Sequence, residues 1–319
     1  MTDADFELRG YQREAVAGVR KSWTQFSRSL GVAPTGSGKT IIFAEIAQKR
    51  LPRGRVLILA HREELIDQAI HKLYRARGLC AAKEKATERA DLEAGVVVAS
   101  VQTLSRRNRL ERFPSDHFLT AIIDEAHHSP AETYQRVLKH VHAEKVLGVT
   151  ATPDRGDLRS LGNYFEDIAF EIGLVDLIRD GFLCPIKVRT VPVEIDLSGV
   201  SIRTGDFSDQ EVSQRLEPVL EQLAEAVVIY AGDRKTLIFV PLVRIAARFA
   251  AILRERGLLA EMISGACTDR AEKLARFKSS ETQILVNAML LTEGFDQPSV
   301  NCVVALRPTK IRSLYAQQV

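Results

Sequence analysis

One short segment of the chain carries the residue types that bind phosphate groups. Residues 33–40 have the sequence APTGSGKT. Gly36 and Gly38 let the backbone turn so that successive N–H groups converge on an anion, and Lys39 adds a positive charge. The Thr40 hydroxyl is suited to hold magnesium. A short apolar stretch precedes the segment and an amphipathic helix follows it, so the helix start adds further N–H donors. The segment is therefore predicted to be a phosphate-binding loop.

One residue of the segment departs from the usual phosphate-loop pattern, and the segment also has an alternative interpretation. Ala33 stands where the usual pattern has glycine, but Gly36 and Gly38 remain to shape the loop. The alternative is an ordinary glycine-rich turn with an exposed lysine. A second motif later in the chain argues against that alternative.

Two adjacent carboxylates follow a later apolar run. Asp124 and Glu125 stand directly after Leu119–Ile123. We expect Asp124 to hold magnesium, through water, opposite Thr40, and Glu125 to orient or deprotonate an attacking water molecule. Phosphoryl transfer needs positioning and charge neutralisation, and this pair can supply both. Taken alone, the motif fits an acidic turn that caps a helix equally well, and the upstream loop favours the chemical interpretation.

Neighbouring polar residues extend the candidate site. We group His127 with the catalytic residues, as part of a turn coupled to the nucleotide. A zinc site at His127 and His128 is disfavoured, because no third ligand stands nearby in the sequence. Thr150 and Thr152 end a further apolar run, where their hydroxyls can hydrogen-bond the acidic motif and transmit its state.

The elements that must position these residues alternate along the first half of the chain. Apolar runs predict strands, and the amphipathic segments between them predict helices. The predicted strands are 29–32, 55–60, 94–99, 119–123 and 145–150. This alternation predicts an α/β fold with a doubly wound parallel sheet, which binds ligands beyond the carboxyl ends of its strands. Each candidate motif directly follows a predicted strand, so placement and chemistry agree.

A second alternating series predicts a second α/β domain. Its predicted strands are 236–240, 259–263, 282–286 and 300–306. Before it, residues 198–209 are polar and predict a loop, and residues 211–230 predict a helix with a jog at Pro218. We therefore expect a first domain over residues 1–165. A connecting segment with the start of the second domain follows over 166–232, and the second domain continues over 233–319.

Composition bounds the class of protein. A chain of 319 residues fits about two domains, and 45% hydrophobic and 27% charged residues are ordinary values for a globular protein. The net charge of +3 permits a polyanionic partner without demanding one. Four cysteines without a C-x-x-C pair indicate neither a zinc site nor a disulfide framework. The N-terminus lacks a signal-peptide core and no apolar run approaches a membrane span, so we expect a cytoplasmic (or, in a eukaryote, nuclear) location without membrane contact. We also expect a monomer.

The order of the motifs resembles that of superfamily 2 helicases and translocases. The set includes Leu8–Gln12, the phosphate-binding loop, Leu59–Leu65, Ser100–Leu104, the Asp-Glu-Ala-His run and Thr150–Pro153. Three segments of the second half continue the family's order: Leu237–Val240, Ile263–Gly265 and Leu291–Pro298. The resemblance covers nearly the whole chain. It is closest to the XPB-like branch and, through residues 291–319, to the bacterial RadD-type DNA repair ATPases.

This resemblance implies two RecA-like parallel-sheet domains of the P-loop NTPase type, with a cleft between them. It also implies an enzyme that uses ATP and magnesium to move on nucleic acid, with DNA favoured. The residues that would bind the nucleotide are Arg9, Gln12, Thr35, Gly36, Ser37, Gly38, Lys39, Thr40, Gly294 and Asp296. The residues that would couple hydrolysis to domain movement are Thr150, Thr152 and Gln317. Contacts to the nucleic-acid strand, mainly to phosphate and sugar, would come from Arg62, Gln102, Thr103, Ser264, Gly265 and Thr292.

Two positions depart from the family's pattern. Ala288 stands where many relatives have threonine, and Thr292 or Asn287 would substitute for it. The last motif supplies Gln317, but the sequence stops before the arginines that would neutralise the transition-state phosphate. We therefore expect a truncated second domain. Beside an ATP-dependent DNA helicase in DNA repair, two alternatives stay open: an ATP- and DNA-binding fragment with little turnover, and an RNA-directed helicase.

Overall fold

The computed structural model describes residues 7–60, 63–151, 161–203, 205–265, 267–288, 297 and 299–310. Two compact units divide the chain, Met1–Pro185 and Ile186–Val319. Each is built on a parallel sheet, which confirms the predicted α/β fold class. Among the described residues, no helix is long and apolar enough to cross a bilayer.

The first unit contains a seven-stranded sheet in which every neighbouring pair is parallel. Its strands are β1 Arg28–Val32, β2 Val56–Ala60, β3 Ala82–Glu84, β4 Val96–Ser100, β5 Thr120–Asp124, β6 Lys145–Thr150 and β7 Asp167–Glu171. The strand order is β3-β4-β2-β5-β6-β1-β7. This order places β1, β5 and β6 side by side, so the candidate motifs that follow them meet at one edge of the sheet.

Helices cover both faces of this sheet. They are α1 Gly10–Ser22, α2 Lys39–Arg50, α3 Glu63–Arg77, α4 Val101–Leu104, α5 Arg107–Leu110, α6 Glu132–His140 and α7 Leu174–Arg179. The interior strand β2 is buried at every residue. Val56 and Ile58 belong to the core against α1, α2 and α3, whereas Leu57 and Leu59 belong to the core on the opposite face. A strand buried on both faces needs a continuous apolar run, which is the pattern that made it predictable.

The two edge strands of the first sheet were not predicted from the sequence. β3 has three residues, of which only Glu84 is fully buried, and β7 is half exposed. Such strands lack a continuous apolar run, because one side of the strand has no neighbour in the sheet. Since β7 pairs with β1, the first unit extends beyond residue 165, where the sequence placed its boundary.

The described residues of the second unit form a four-stranded parallel sheet in the order β11-β12-β10-β13. Its strands are β10 Thr236–Val240, β11 Ala260–Ile263, β12 Ile284–Ala288 and β13 Cys302–Ala305, and its helices are α8 Asp209–Leu216, α9 Leu220–Ala231, α10 Val243–Glu255 and α11 Arg270–Ser279. A 3₁₀ turn at Glu217–Val219 separates α8 from α9, which agrees with the jog expected at Pro218. Residues 198–209, expected to be a loop, contain a short antiparallel hairpin of β8 Ile202–Arg203 and β9 Asp206–Phe207.

Candidate active site

The loop between β1 and α2 has the backbone shape that its glycines predict. Gly36 and Gly38 both adopt left-handed φ values, +80° and +78°, which residues with a Cβ rarely adopt. A Cβ on Gly38 would lie 2.7 Å from Gln12 Nε2, so this position also needs glycine for space. Gly38 caps α2, which begins at Lys39, and the first N–H groups of the helix lie at the loop. The loop therefore offers an anion both backbone donors and the positive end of a helix dipole.

Ser37 contributes a buried hydroxyl to this loop. The residue is 1% exposed, and its Oγ has no hydrogen-bond partner among the described residues. A buried polar atom without a partner costs free energy. A phosphate oxygen would supply the partner, so the hydroxyl fits the predicted ligand.

Lys39 connects the loop to the acidic turn. Its Nζ lies 3.5 Å from the carbonyl oxygen of Ala33 and 3.8 Å from Glu125 Oε1. Both charged side chains are largely withdrawn from water, at 12% and 14% exposure. Charges interact more strongly in such a setting than at the surface. The structure thus brings together two predicted catalytic residues from distant segments.

Glu125 reverses the chain at the end of β5. It adopts left-handed backbone angles, φ +51° and ψ +55°, which are uncommon for a residue other than glycine. Its N–H donates a hydrogen bond to Asp124 Oδ1 at 3.1 Å. Burial and the neighbouring Glu125 carboxylate raise the pKa of Asp124 to about 6, while the charge of Lys39 acts in the opposite direction. A bound cation would favour the charged carboxylate.

His127 connects the acidic turn to β6. Its Nδ1 lies 3.1 Å from Thr150 Oγ1 and 3.5 Å from Glu125 Oε2. Thr150 is the last residue of β6 and is 1% exposed. A predicted catalytic residue and a predicted coupling residue are therefore in direct contact. A change at the Glu125 carboxylate has a short path to the end of β6.

The fit of magnesium depends on a small set of oxygen atoms. Within the described ranges, no three histidine, cysteine or acidic side chains converge on a metal site of their own. A magnesium ion would instead rely on the Thr40 hydroxyl, the Asp124 carboxylate and phosphate oxygens, which is a donor set that magnesium prefers.

The start of α1 is attached to the phosphate-binding loop. Gln12 is 3% exposed; its Oε1 accepts the Arg9 N–H at 3.0 Å and its Nε2 donates to the Ser37 carbonyl at 3.2 Å. Tyr11 donates its hydroxyl to the same carbonyl at 2.9 Å. Gln12 therefore holds the loop from within the fold, and its role in nucleotide binding stays a prediction. Arg9, by contrast, is exposed.

Two aromatic residues beside the loop were missed by the sequence analysis. The ring centroid of Phe182 lies 4.9 Å from that of Tyr11 and 5.2 Å from Arg9 Cζ. The next residue, Leu183, is so close to Gly36 that a Cβ there would lie 2.9 Å from Leu183 Cδ2. Tyr11 lies within the Leu8–Gln12 motif, and this position could have identified it as a site residue. Phe182 follows α7 and carries no local signal.

The predicted nucleic-acid residues differ in their exposure. Gln102 and Gly265 are exposed, whereas Thr103 and Ser264 are each 1% exposed. The Thr103 hydroxyl accepts a backbone N–H at 3.1 Å, and it helps to shape the segment after β4. Gln102 and Gly265 are thus the more accessible of the four.

Some predicted site residues lie outside the described residues. They are Arg62, Thr152, Thr292, Gly294, Asp296 and Gln317.

Two family matches cover most of the chain. Residues 5–155 match the family described as Type III restriction enzyme, res subunit, and residues 218–319 match the helicase conserved C-terminal domain. Together these matches indicate a superfamily 2 helicase.

Curated relatives include provisionally named helicases. The ATP-dependent helicase IRC3 of Saccharomyces cerevisiae is 31% identical over 98% of this chain and 48% of its own length. The mitochondrial ATP-dependent helicase irc3 of Schizosaccharomyces pombe is 30% identical over 98% of this chain and 54% of its own length. This chain therefore spans about half the length of these relatives. A shorter match, 31% identical over 47% of this chain and 32% of the relative, is to the DNA 3'-5' translocase XPB2 of Sulfurisphaera tokodaii. XPB-like proteins are thus among the relatives, and closeness to RadD stays a prediction.

Solved structures share the fold. Saccharomyces cerevisiae Dbp5 bound to RNA and ADP BeF3 matches with a TM-score of 0.68 and 14% identity, over 97% of this chain and 78% of that chain. The helicase domain of Pyrococcus furiosus Hef matches with a TM-score of 0.58 and 17% identity, over 98% of this chain and 92% of that chain. At these identities the likeness shows the fold alone, two RecA-like domains of the helicase type.

Proposed function

We propose that this chain is the ATP-hydrolysing motor region of a helicase or translocase that acts on DNA, with a role in DNA repair. The observation that carries the proposal is the 3.8 Å approach of Lys39 Nζ to Glu125 Oε1. It joins the phosphate-binding loop to the carboxylate that would serve the attacking water. An ordinary glycine-rich turn would not require a partly buried charge pair beside it.

The loop binds the triphosphate of ATP in this proposal. Backbone N–H groups from Thr35 to Thr40 surround the β- and γ-phosphates, and the buried Ser37 hydroxyl donates a further hydrogen bond to them. Lys39 reaches the γ-phosphate and offsets the charge that develops during transfer. Thr40 and Asp124 would hold magnesium, which when bound would neutralise phosphate charge.

Glu125 positions the attacking water and accepts its proton. Its Oε1 lies 3.8 Å from Lys39 Nζ, so the carboxylate stands beside the residue that would contact the phosphates. His127 responds to the change in charge at Glu125 by shifting its position. The 3.1 Å contact between His127 Nδ1 and Thr150 Oγ1 transmits this shift to the end of β6. This contact is the proposed start of coupling between hydrolysis and movement, with Thr152 as the next residue along the chain.

Nucleic acid is the proposed track for this movement. Gln102 and Gly265 are exposed at segments that follow strands, and both belong to motifs of the resemblance. Contacts there would be to phosphate and sugar, so we expect little base preference. Arg62 and Thr292 complete the proposed contacts, and Thr103 and Ser264 support them from inside. Gly294, Asp296 and Gln317 stay predictions for the nucleotide and coupling sites.

The deciding experiment is ATP hydrolysis by the 319-residue chain with and without nucleic acid. Single-stranded DNA, duplex DNA and RNA are compared at matched salt, because phosphate contacts are salt-dependent. We expect hydrolysis that DNA stimulates more than RNA. Equal or greater stimulation by RNA would favour the RNA-directed alternative. ATP binding without turnover would favour the alternative of an ATP- and DNA-binding region. A cytoplasmic location stays a prediction, and the Schizosaccharomyces pombe relative is named as mitochondrial.

A further inference from the structure

A cavity of about 430 Å³ lies in the first unit, at the opposite end of the sheet from the phosphate-binding loop. It lies between the C-terminal ends of α1 and α2 and beside Lys145, the first residue of β6. The helix α2 has 12 residues, begins at the loop and ends at the cavity, so the two are about 18 Å apart. The cavity is therefore separate from the candidate active site. Its volume is in the range of cavities that hold small molecules.

Apolar side chains form the buried part of the cavity lining. Val16, Val19 and Ile46 line the cavity and are buried. Trp23 adds an aromatic ring to the lining, and the Arg50 guanidinium lies 5.6 Å from the centroid of that ring, within the range of a cation–π contact. A ligand with an apolar body would gain free energy by moving that body from water onto these side chains.

The charged side chains of the lining are mostly basic. They are Arg20, Lys49, Arg50, Arg53, Lys145 and the single acidic residue Glu144. Two of the basic residues have acidic partners. Lys49 lies 2.9 Å from Glu45, and Arg50 lies 3.2 Å from Glu144. The other three basic residues therefore decide the charge of the cavity.

Arg20, Arg53 and Lys145 have no acidic partner among the residues that the structure describes, and Lys145 donates to the Phe26 carbonyl at 2.8 Å. A helix dipole favours positive charge at the C-terminal end, which accounts for Arg20 in the last turn of α1. It does not account for Lys145, which begins a strand. Three positive charges without a carboxylate raise the local concentration of anions.

We propose that this cavity binds a small organic phosphate, in which an apolar body carries one phosphate group. The body contacts the buried apolar side chains and the Trp23 ring, and the phosphate lies against Arg20, Arg53 and Lys145. A phosphate monoester carries about 1.5 to 2 negative charges at neutral pH, so it matches three cations better than one carboxylate does. Guanidinium groups also bind phosphate oxygens in pairs.

The test uses Trp23 as a local reporter. It is the single tryptophan of the 319-residue chain, so its indole N–H gives one signal in a proton–nitrogen correlation NMR spectrum. The chain is titrated with naphthyl phosphate, inorganic phosphate and naphthol. We expect naphthyl phosphate to shift the indole signal until the shift saturates. Inorganic phosphate and naphthol should bind at least about tenfold more weakly, because each lacks one half of the ligand.

A double variant tests the basic side chains. Arg20→Ala with Arg53→Ala should weaken the affinity for naphthyl phosphate about tenfold, because two of the three unpaired charges are removed. Both side chains are exposed, and the indole signal of the unliganded variant checks that the unit is folded. Lys21→Ala is the matched control. Lys21 is exposed in the last turn of α1 but does not line the cavity, so the affinity should stay unchanged.

A second control separates the cavity from the phosphate-binding loop. Lys39→Ala removes the cation of the loop and should leave the affinity for naphthyl phosphate at Trp23 unchanged. A loss of affinity in Lys39→Ala would place the binding at the loop and would overturn the inference.

Three other results would overturn the inference. They are the lack of a saturable shift at millimolar naphthyl phosphate, equal affinity for naphthyl phosphate and either of its halves, and a loss in Lys21→Ala as large as in the double variant. The last result would show general attraction to a positive surface. None of these results bears on the proposed function, which is tested by ATP hydrolysis.

Discussion

The two units of this protein use the same strand-to-helix arrangement, and the proposed phosphate site belongs to the first of them. In the first unit, residues 33–38 connect β1 to α2 and include two glycines with positive φ. In the second unit, only Pro241 and Leu242 stand between β10 and α10. The short connection has no glycine, and its proline lacks an N–H donor. In both units the parallel sheet sets where the loop after the strand lies. The residues of that loop determine whether it is suited to bind phosphate.

The largest expected effect is on hydrolysis. Lys39→Ala should lower ATP turnover by about 10³-fold or more, because it removes the cation that faces the transferred phosphate. In the second unit, Arg244 stands near the start of α10, is 53% exposed and lies 3.7 Å from Glu217. Arg244→Ala is therefore the matched control and should leave turnover within about twofold. A comparable loss of ATP turnover in both variants, measured by phosphate release, would contradict the proposed difference between the units.

A smaller effect is expected on stability, where each unit has a buried arginine. In the first unit, Glu84 is fully buried and accepts hydrogen bonds from Arg109, Arg112 and the Ala90 N–H. Arg109→Ala should destabilise this unit by about 2–3 kcal/mol, because Glu84 loses its closest charged partner and keeps only Arg112 and the Ala90 N–H. Trp23, the single tryptophan of the chain, lies in this unit and reports its urea unfolding by fluorescence. An unchanged midpoint would contradict the expectation.

The matching variant in the second unit is Arg307→Ala. Arg307 donates to Asp209 at 3.0 Å and lies 3.9 Å from Asp206. Asp206 keeps hydrogen bonds from Thr309 and from the Lys310 N–H, so we expect a loss of only about 1–2 kcal/mol. Circular dichroism should show this loss while the Trp23 transition stays in place.

Sequence reasoning found the parts of the candidate site that have local signals. The phosphate-binding loop follows the short, mostly apolar end of β1, and the Asp124–Glu125 pair stands at the end of the apolar β5. The structure brings Lys39 and Glu125 of these two predicted motifs within 3.8 Å. Edge strands such as β7 have no such run, because a half-exposed strand does not need one. Phe182 could not be predicted, because its place beside Tyr11 depends on how α7 ends and on long-range packing.

Two glycines with nearly equal φ differ in the space around them. Gly38 has φ +78°, and a Cβ there would lie 2.7 Å from Gln12 Nε2, whereas Gly257 in the second unit has φ +80° and open space around the same position. Gly257→Ala should cost about 1 kcal/mol of stability through backbone strain alone. Gly38→Ala adds a clash with Gln12 and should lower ATP affinity as well. Equal ATP affinities in the two variants would show that the loop tolerates a displaced Gln12.

The smallest expected effect is a pH dependence in the second unit. Hydrogen bonds from Arg276 hold the pKa of Glu261 below its usual range, although burial acts in the opposite direction. The stabilisation is complete above the unfolded pKa of about 4.3 and is lost as the pH falls through the lower folded pKa. Because Arg276 is 37% exposed, we expect a contribution of at most about 1 kcal/mol.

Glu261→Gln tests this pH dependence. Acid unfolding of the second unit should become less steep in this variant when followed by circular dichroism. Glu272, 4.0 Å from Arg276 and 77% exposed, provides the control, and Glu272→Gln should leave the transition unchanged. A transition that is identical in Glu261→Gln and the parent chain would contradict the assignment.

The two hydrogen bonds that end on the Ser37 carbonyl have a kinetic consequence. Tyr11 and Gln12 occupy both lone pairs of that oxygen, so the peptide that carries it cannot rotate without breaking two bonds at once. The ordering of the loop is then completed during folding, before any nucleotide arrives. A loop ordered in advance loses little conformational entropy on binding. Association of nucleotide should therefore be a single fast step, without a slower rearrangement of the loop after the encounter.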